Sequence, residues 1–319
     1  MDASGSDSGQ WDVVVVGGGS AGLSAALTLV RARRHVLVLD AGLPRNRFAA
    51  HMHAVLGRDG TSPVQLLADG REEVERYGGV VRPATATGVR RVGTGFVVTS
   101  SGGSETPTRR VVVAAGLRDD LPALDGLADF WGQGVAVCPY CDAWEVADGR
   151  IGVLATGPAS PFQAQLLRQW SEQVIYLANT VGPPGEEDLA GLRARGIEIS
   201  EGAVRRVVGQ DGQMTGVEMS DGRVVELDAI FTVPTPLPQD DLLNQLGAER
   251  TDGPSGSIVQ VDPTGETSVT GVWAVGNVVN TFANIPMSIG SGAAAGGAVN
   301  HSLVLEDVEL AMGLFAATG

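Results

Sequence analysis

The chain has no lysine: its twenty-two basic residues are all arginine, set against thirty-seven acidic ones for a formal net charge of −15. That leaves no basic stripe to track phosphates, so no nucleic-acid partner is expected. The same acidity disfavours anionic membranes, and no apolar run reaches the roughly eighteen residues needed to span a bilayer. The start, Met1 to Gln10, has neither the basic region nor the apolar stretch of a secretory signal, so residues 1–10 are expected to form a disordered tail and the protein to be cytoplasmic. Cysteine is almost absent as well. Two residues, Cys138 and Cys141, are the wrong count for a secreted disulfide framework and too few for structural zinc, and no metal is expected.

What is present is enough for two cores. A chain of 319 residues, 43% of them hydrophobic, exceeds the size at which one core usually keeps growing. Trp11 to Val16 reads as a buried strand, Ser20 to about Arg33 as a helix, and Val36 to Leu39 as a second strand ending at Asp40, which is the opening βαβ of a doubly wound sheet. Gly93 to Ser104 reads as hairpin material, and Arg110 to Ala115 as another strand before Gly116. From Ile151 the pattern repeats weakly: a strand to Leu154, a small-residue turn, a helix to about Trp170 and a strand over Val174 to Leu177. Alternating segments at Val204 to Val208, Gly216 to Met219 and Val224 to Leu227 supply a meander. Strands at Ile258 to Val261 and Val272 to Val275 and a small-residue helix from about Ser288 complete the first domain. The expected fold is therefore α/β with two Rossmann-like dinucleotide-binding domains, the second inserted into the first. The first comprises 11–117 and 234–319, and 118–233 is the insert.

Gly17, Gly19 and Gly22 have the G-x-G-x-x-G spacing between a strand and a helix, the context this fingerprint requires. The first glycine permits the tight turn, the second lets backbone approach a pyrophosphate, and the third lets helix pack on strand. The phosphate charge then rests on the helix N-terminus, and Asp40, eighteen residues on from Gly22, can accept from an adenosine ribose. The matching turn in the insert, Ala155-Thr156-Gly157-Pro158-Ala159-Ser160, keeps one glycine of three, and Pro158 removes an N–H where a phosphate would seek donors. Ala178 to Gly185 offers neither a ribose-binding carboxylate nor an arginine for a 2′-phosphate. A nicotinamide site is expected to be missing or crippled.

Cys138-Pro139-Tyr140-Cys141-Asp142 precedes a segment, Ala143-Trp144-Glu145, that can begin a helix. Cysteines so spaced at a helix start can close a small disulfide loop, with the helix dipole favouring the thiolate. Asp142 beside them could carry the proton that thiol and disulfide exchange, if an apolar pocket raises its pKa, or could serve as a helix-terminal capping acid.

Together the glycine turn, Val113-Ala114-Ala115-Gly116, the C-x-x-C-D motif and Gly271-Val272-Trp273-Ala274-Val275-Gly276-Asn277 resemble the thioredoxin reductase family over nearly the whole chain. His51-Met52-His53, the C-P-Y-C motif and the degraded second turn resemble a side branch, the FAD-dependent dithiol oxidases of holomycin- and gliotoxin-type natural products. Asp142 matches the reductase pattern better than the His often found in that branch. The resemblance implies FAD on Gly17, Gly19, Ser20, Ala21, Gly22, Asp40, Ala41, Arg45, Asn46, His53, Ala115, Gly116, Gly276, Asn277, Asn284 and Ile285. It implies catalysis by Cys138, Cys141 and Asp142, with Cys141 facing the flavin, Cys138 meeting substrate and His53 near the isoalloxazine. The family usually has Asp where Asn277 stands and Arg-Gln where Asn284 and Ile285 stand.

The activity implied is oxidation of a small-molecule dithiol to a cyclic disulfide, with O2 as acceptor giving H2O2, in a homodimer. One alternative is a reductase passing electrons from NADPH or another donor to a thioredoxin-like protein. The other is a flavin-binding redox sensor without turnover.

Overall fold

The computed structural model describes residues 10–253 and 256–318, so the expected tail lies, but for Gln10, outside the described residues. The chain divides into two compact units: Met1–Arg45, Val64–Arg118 and Pro236–Gly319 form the first, Asn46–Pro63 and Asp119–Thr235 the second.

The first unit is built on a sheet in the order β3-β2-β1-β6-β5-β4, with β1 (Trp11–Val16), β2 (Val36–Asp40), β3 (Val80–Pro83), β4 (Ala86–Val92), β5 (Gly95–Ser100) and β6 (Glu105–Val113). β1 runs parallel to β2 and β6, and its valines Val13, Val14 and Val15 are wholly buried, as a strand covered on both faces requires. β6 changes neighbours along its length. Its first half pairs antiparallel with β5, and Val111–Val113 pair parallel with the late strand Val272–Ala274. Helix α1 (Ser20–Arg31) presses on the final helix, Ile285–Thr318, closely enough that a Cβ at Gly292 would overlap the Ala21 carbonyl. The small residues expected in that helix are thus the condition of its packing. Helix α2 (Pro63–Arg76), not anticipated from sequence, has Gly70 at its middle, where a Cβ would come within 3.2 Å of Leu23 of α1.

The chain leaves along β7 (Leu117–Asp120) and returns along a strand, Thr235–Pro238, that pairs with it. The residues between them in sequence supply most of the second unit. Its five-stranded parallel sheet comprises β8 (Val135–Ala136), β9 (Ile151–Leu154), β10 (Val174–Leu177), β11 (Glu198–Ser200) and Ala229–Thr232, which sits between β9 and β8. The expected meander is present as Val204–Gln210, Gln213–Met219 and Val224–Glu226, paired antiparallel. Residues 46–63, assigned to the first domain from sequence, group with the second unit, and the edges of the insert differ from the expected 118–233 by one or two residues.

Candidate active site

The first glycine turn is shaped by backbone. Gly17 has φ of 105°, a conformation that disfavours a side chain, and a Cβ at Gly22 would overlap the Gly17 carbonyl. Gly19 at the N-cap of α1 brings no side chain to the helix end, leaving the first-turn N–H groups for an anion. Asp40 closes over the turn. Its Oδ1 accepts from the N–H groups of Gly18 at 3.3 Å and Gly42 at 2.9 Å, and its Oδ2 meets Arg71 Nη2 at 2.7 Å. A carboxylate has about four acceptor positions, so roughly one is left for a ribose hydroxyl. The Arg71 contact had no signal in sequence, since the partners lie thirty-one residues apart.

At the same C-terminal edge of the sheet, Gly276 and Asn277 follow the late strand; Gly276 packs against Ala21 of α1 and, with Asn280 and Ala283, helps to line a cavity of about 680 Å³. Asn277 turns its amide Nδ2 to the carbonyls of Asn280 at 3.0 Å and Ala283 at 2.9 Å, locking the loop. A carboxylate could not donate those bonds, which gives the departure from Asp a structural reason. Asn284 Oδ1 accepts from Met287 N at 3.0 Å and so caps the final helix.

In the second unit Cys138 and Cys141 form a disulfide with Cα atoms 5.3 Å apart. Both cysteines are partly buried, while Tyr140 between them is 67% exposed and packs edge-on against Trp170. Pro139 at the first helical position has no N–H to leave unsatisfied, and the Cys138 carbonyl accepts from both Cys141 and Asp142. The helix itself corrects the sequence reading. α3 (Pro139–Asp142) is one turn and does not continue through Trp144 and Glu145, so little helix dipole is available to favour a thiolate. Asp142 is left as the adjacent polar group. Burial pushes its carboxyl up to about 6, the neighbouring Glu145 adds to that, and His53 opposes it.

His53 reaches this place from the 46–63 segment. Its Nε2 lies 3.3 Å from Glu145 Oε1 and its Nδ1 3.6 Å from Asp59 Oδ1. Of the residues expected to hold FAD, Gly17, Gly19, Ser20, Ala21, Gly22, Asp40, Ala41, Arg45, Ala115, Gly116, Gly276, Asn277, Asn284 and Ile285 fall in the first unit. His53 and Asn46 fall in the second with Cys138, Cys141 and Asp142. Glu145 and Asp59 had not been singled out; Glu145 stood three positions from Asp142 as a visible clue, whereas Asp59 had none.

The insert's own turn connects β9 to α4 (Ser160–Leu167) and is filled from within. The buried Ser160 hydroxyl accepts from Thr156 N at 3.0 Å and Gly157 N at 3.3 Å, the donors a pyrophosphate would use. After β10, Asn179 at φ of 48° spends its Oδ1 on Val204 N. The residues present fit a dinucleotide at the first turn and do not fit one at the second.

Two dinucleotide-type domains, one keeping an open glycine turn and the other a disulfide with a raised carboxyl, define a flavin-dependent thiol–disulfide oxidoreductase. The pyridine nucleotide-disulphide oxidoreductase family model matches residues 11–296, and the chain belongs to that family. Thioredoxin reductase sirT of Leptosphaeria maculans is 30% identical, over 93% of this chain and 96% of its own. Thioredoxin reductase tcpT of Claviceps purpurea (strain 20.1) is 28% identical, over 92% and 95%. Among solved structures, that of HlmI superposes with a TM-score of 0.94 at 44% identity, covering 98% of each chain. The cofactor is FAD, and the fold expected from sequence is the one found. Among the described residues no helix is long and apolar enough to cross a membrane.

Proposed function

We propose that the chain oxidises a small-molecule dithiol of natural-product type to its cyclic disulfide, in a cytoplasmic homodimer, with dioxygen as the final acceptor. The observation that carries this reading is the pairing, in one unit, of a disulfide flanked by a raised carboxyl with a nucleotide turn whose donors Ser160 has already taken. Electrons are thus expected to enter from a dithiol and not from a pyridine nucleotide. The resemblance to the dithiol oxidases points the same way.

In this reading one substrate thiol gives its proton to Asp142 and attacks Cys138, forming a mixed disulfide and releasing the Cys141 thiolate. The second substrate thiol displaces Cys138, so the substrate leaves oxidised and the cysteine pair reduced. FAD, which the first glycine turn of Gly17, Gly19 and Gly22 would hold, would supply the two-electron acceptor that restores the disulfide, with dioxygen as the final oxidant and hydrogen peroxide as its product. Exposed Tyr140 and Trp144 offer aromatic faces beside the pair, suited to a flat apolar dithiol.

The relatives named thioredoxin reductase and the C-x-x-C-D motif favour the reverse flow, from NADPH or another donor to a thioredoxin-like protein. Anaerobic mixing separates the two. Bleaching of the flavin by a small dithiol, with none by NADPH or NADH, is the expected result; bleaching by NADPH at a comparable rate overturns it.

A further inference from the structure

His53 makes two carboxylate contacts within its own unit. Segment 46–63 is pinned by mutual bonds between Met52 and the Gly60–Thr61 backbone, and Ala54, at φ of 59°, donates its N–H to Asp59 at 2.8 Å. This presents His53, with its side chain 25% exposed, between two carboxylates: Glu145 at 3.3 Å and Asp59 at 3.6 Å. Glu145 lies three residues beyond Asp142. Helix α4 packs on α3 and carries no ionisable side chain over Ser160–Leu167. Arg168, just past it, is turned to the carbonyls of Arg195 and Ser171. The charges acting on Asp142 are therefore Glu145 and His53, with Asp59 behind the imidazole.

We propose that His53 is a positioning residue for thiol–disulfide exchange, holding the Glu145 carboxylate in an ion pair and so setting the charge under which Asp142 takes the proton from a thiol and returns it to the departing cysteine sulfur. The inference rests on Asp142 as the acid–base group of the reading above. A neutral His53 substitute leaves Glu145 unopposed and makes Asp142 hold its proton to higher pH; neutralising Glu145 does the reverse. Both follow from elementary electrostatics at short range.

The test uses the full FAD-loaded protein in its oxidised form, with carboxyl carbons labelled and the Asp142 signal identified by its loss in Asp142→Asn. In His53→Gln the Asp142 titration midpoint should rise, in Glu145→Gln it should fall, and the double variant should return close to wild type. The acid limb of anaerobic flavin bleaching by dithiol should move with it, a half-unit shift giving about a threefold rate change on that limb. The flavin absorption spectrum should stay unchanged in all three. An Asp142 midpoint unmoved by either single variant overturns the proposal, as does a His53→Gln protein whose flavin spectrum changes while the midpoint does not, since that places His53 against the ring. If His53→Gln does not fold, Glu145→Gln alone decides by the sign of its shift. Failure of wild type to be bleached by any dithiol would end the oxidase reading, yet the carboxyl titration would still decide the role of His53.

Discussion

The two strand–turn–helix openings of this chain occupy matching places in their units and are in opposite states. In the first, Gly19 caps α1 without a side chain, and Asp40 is held over the turn by two backbone N–H groups and Arg71. In the second, a single hydroxyl, Ser160, accepts from two backbone N–H groups. The difference teaches that backbone donors can be satisfied from within as well as left open, and a ligand at the second turn would have to compete with bonds the protein already makes. The second unit carries the disulfide and its acid.

The largest effect that would break this contrast lies in the first turn. Gly22→Val puts a side chain into the Gly17 carbonyl, so helix and strand cannot approach and the pyrophosphate cradle opens. The variant should purify without yellow colour and retain no FAD after gel filtration. A variant that keeps stoichiometric flavin would show that the first turn is not the cofactor's anchor.

Next in size is Asp142. Its carboxyl titrates at about 6 in the fold against an ordinary 3.8, so the folded state holds an extra proton between those values and stability falls as pH rises through that window. Above it the cost amounts to about 3 kcal/mol. Asp142→Asn should therefore gain stability at pH 7, by roughly 1–3 kcal/mol, and gain nothing at pH 3, as read by denaturant unfolding at the two pH values. Dithiol-driven flavin bleaching in the same variant should slow by about a hundredfold or more. A variant that is no more stable at pH 7, or as fast as wild type, would remove the acid from the second unit's side of the comparison.

Local geometry was legible in the sequence and distant pairing was not. Gly17, Gly19, Gly22 and the Cys138–Cys141 pair declare themselves because backbone conformation and a three-residue spacing are properties of contiguous chain. Arg71 meeting Asp40, and His53 meeting Glu145, join residues that share no period, so nothing in composition foretells them. α2 was hidden by Gly70, a poor helix former that packs closely on Leu23. The one-turn length of α3 was equally hidden: Ala143, Trp144 and Glu145 are compatible with helix, and tertiary context ends it at Asp142. The degraded second turn was visible as missing glycines, but the Ser160 hydroxyl that fills it depends on where one side chain points.

The smallest effect is the one that sharpens the contrast most, because it asks whether that hydroxyl alone keeps the second turn shut. Ser160→Ala strands the Thr156 and Gly157 N–H groups, which are partly buried, at a cost of about 1–2 kcal/mol in chemical denaturation. Freed donors are necessary for a nucleotide but not sufficient here. Pro158 still removes one N–H, and residues 178–185 still offer neither carboxylate nor arginine to a ribose. NADPH binding by calorimetry should therefore remain undetectable in both wild type and Ser160→Ala. If the variant instead binds NADPH at micromolar concentration, the second turn is a dinucleotide site held closed by one side chain, and the two units differ by a plug where we place a lost site.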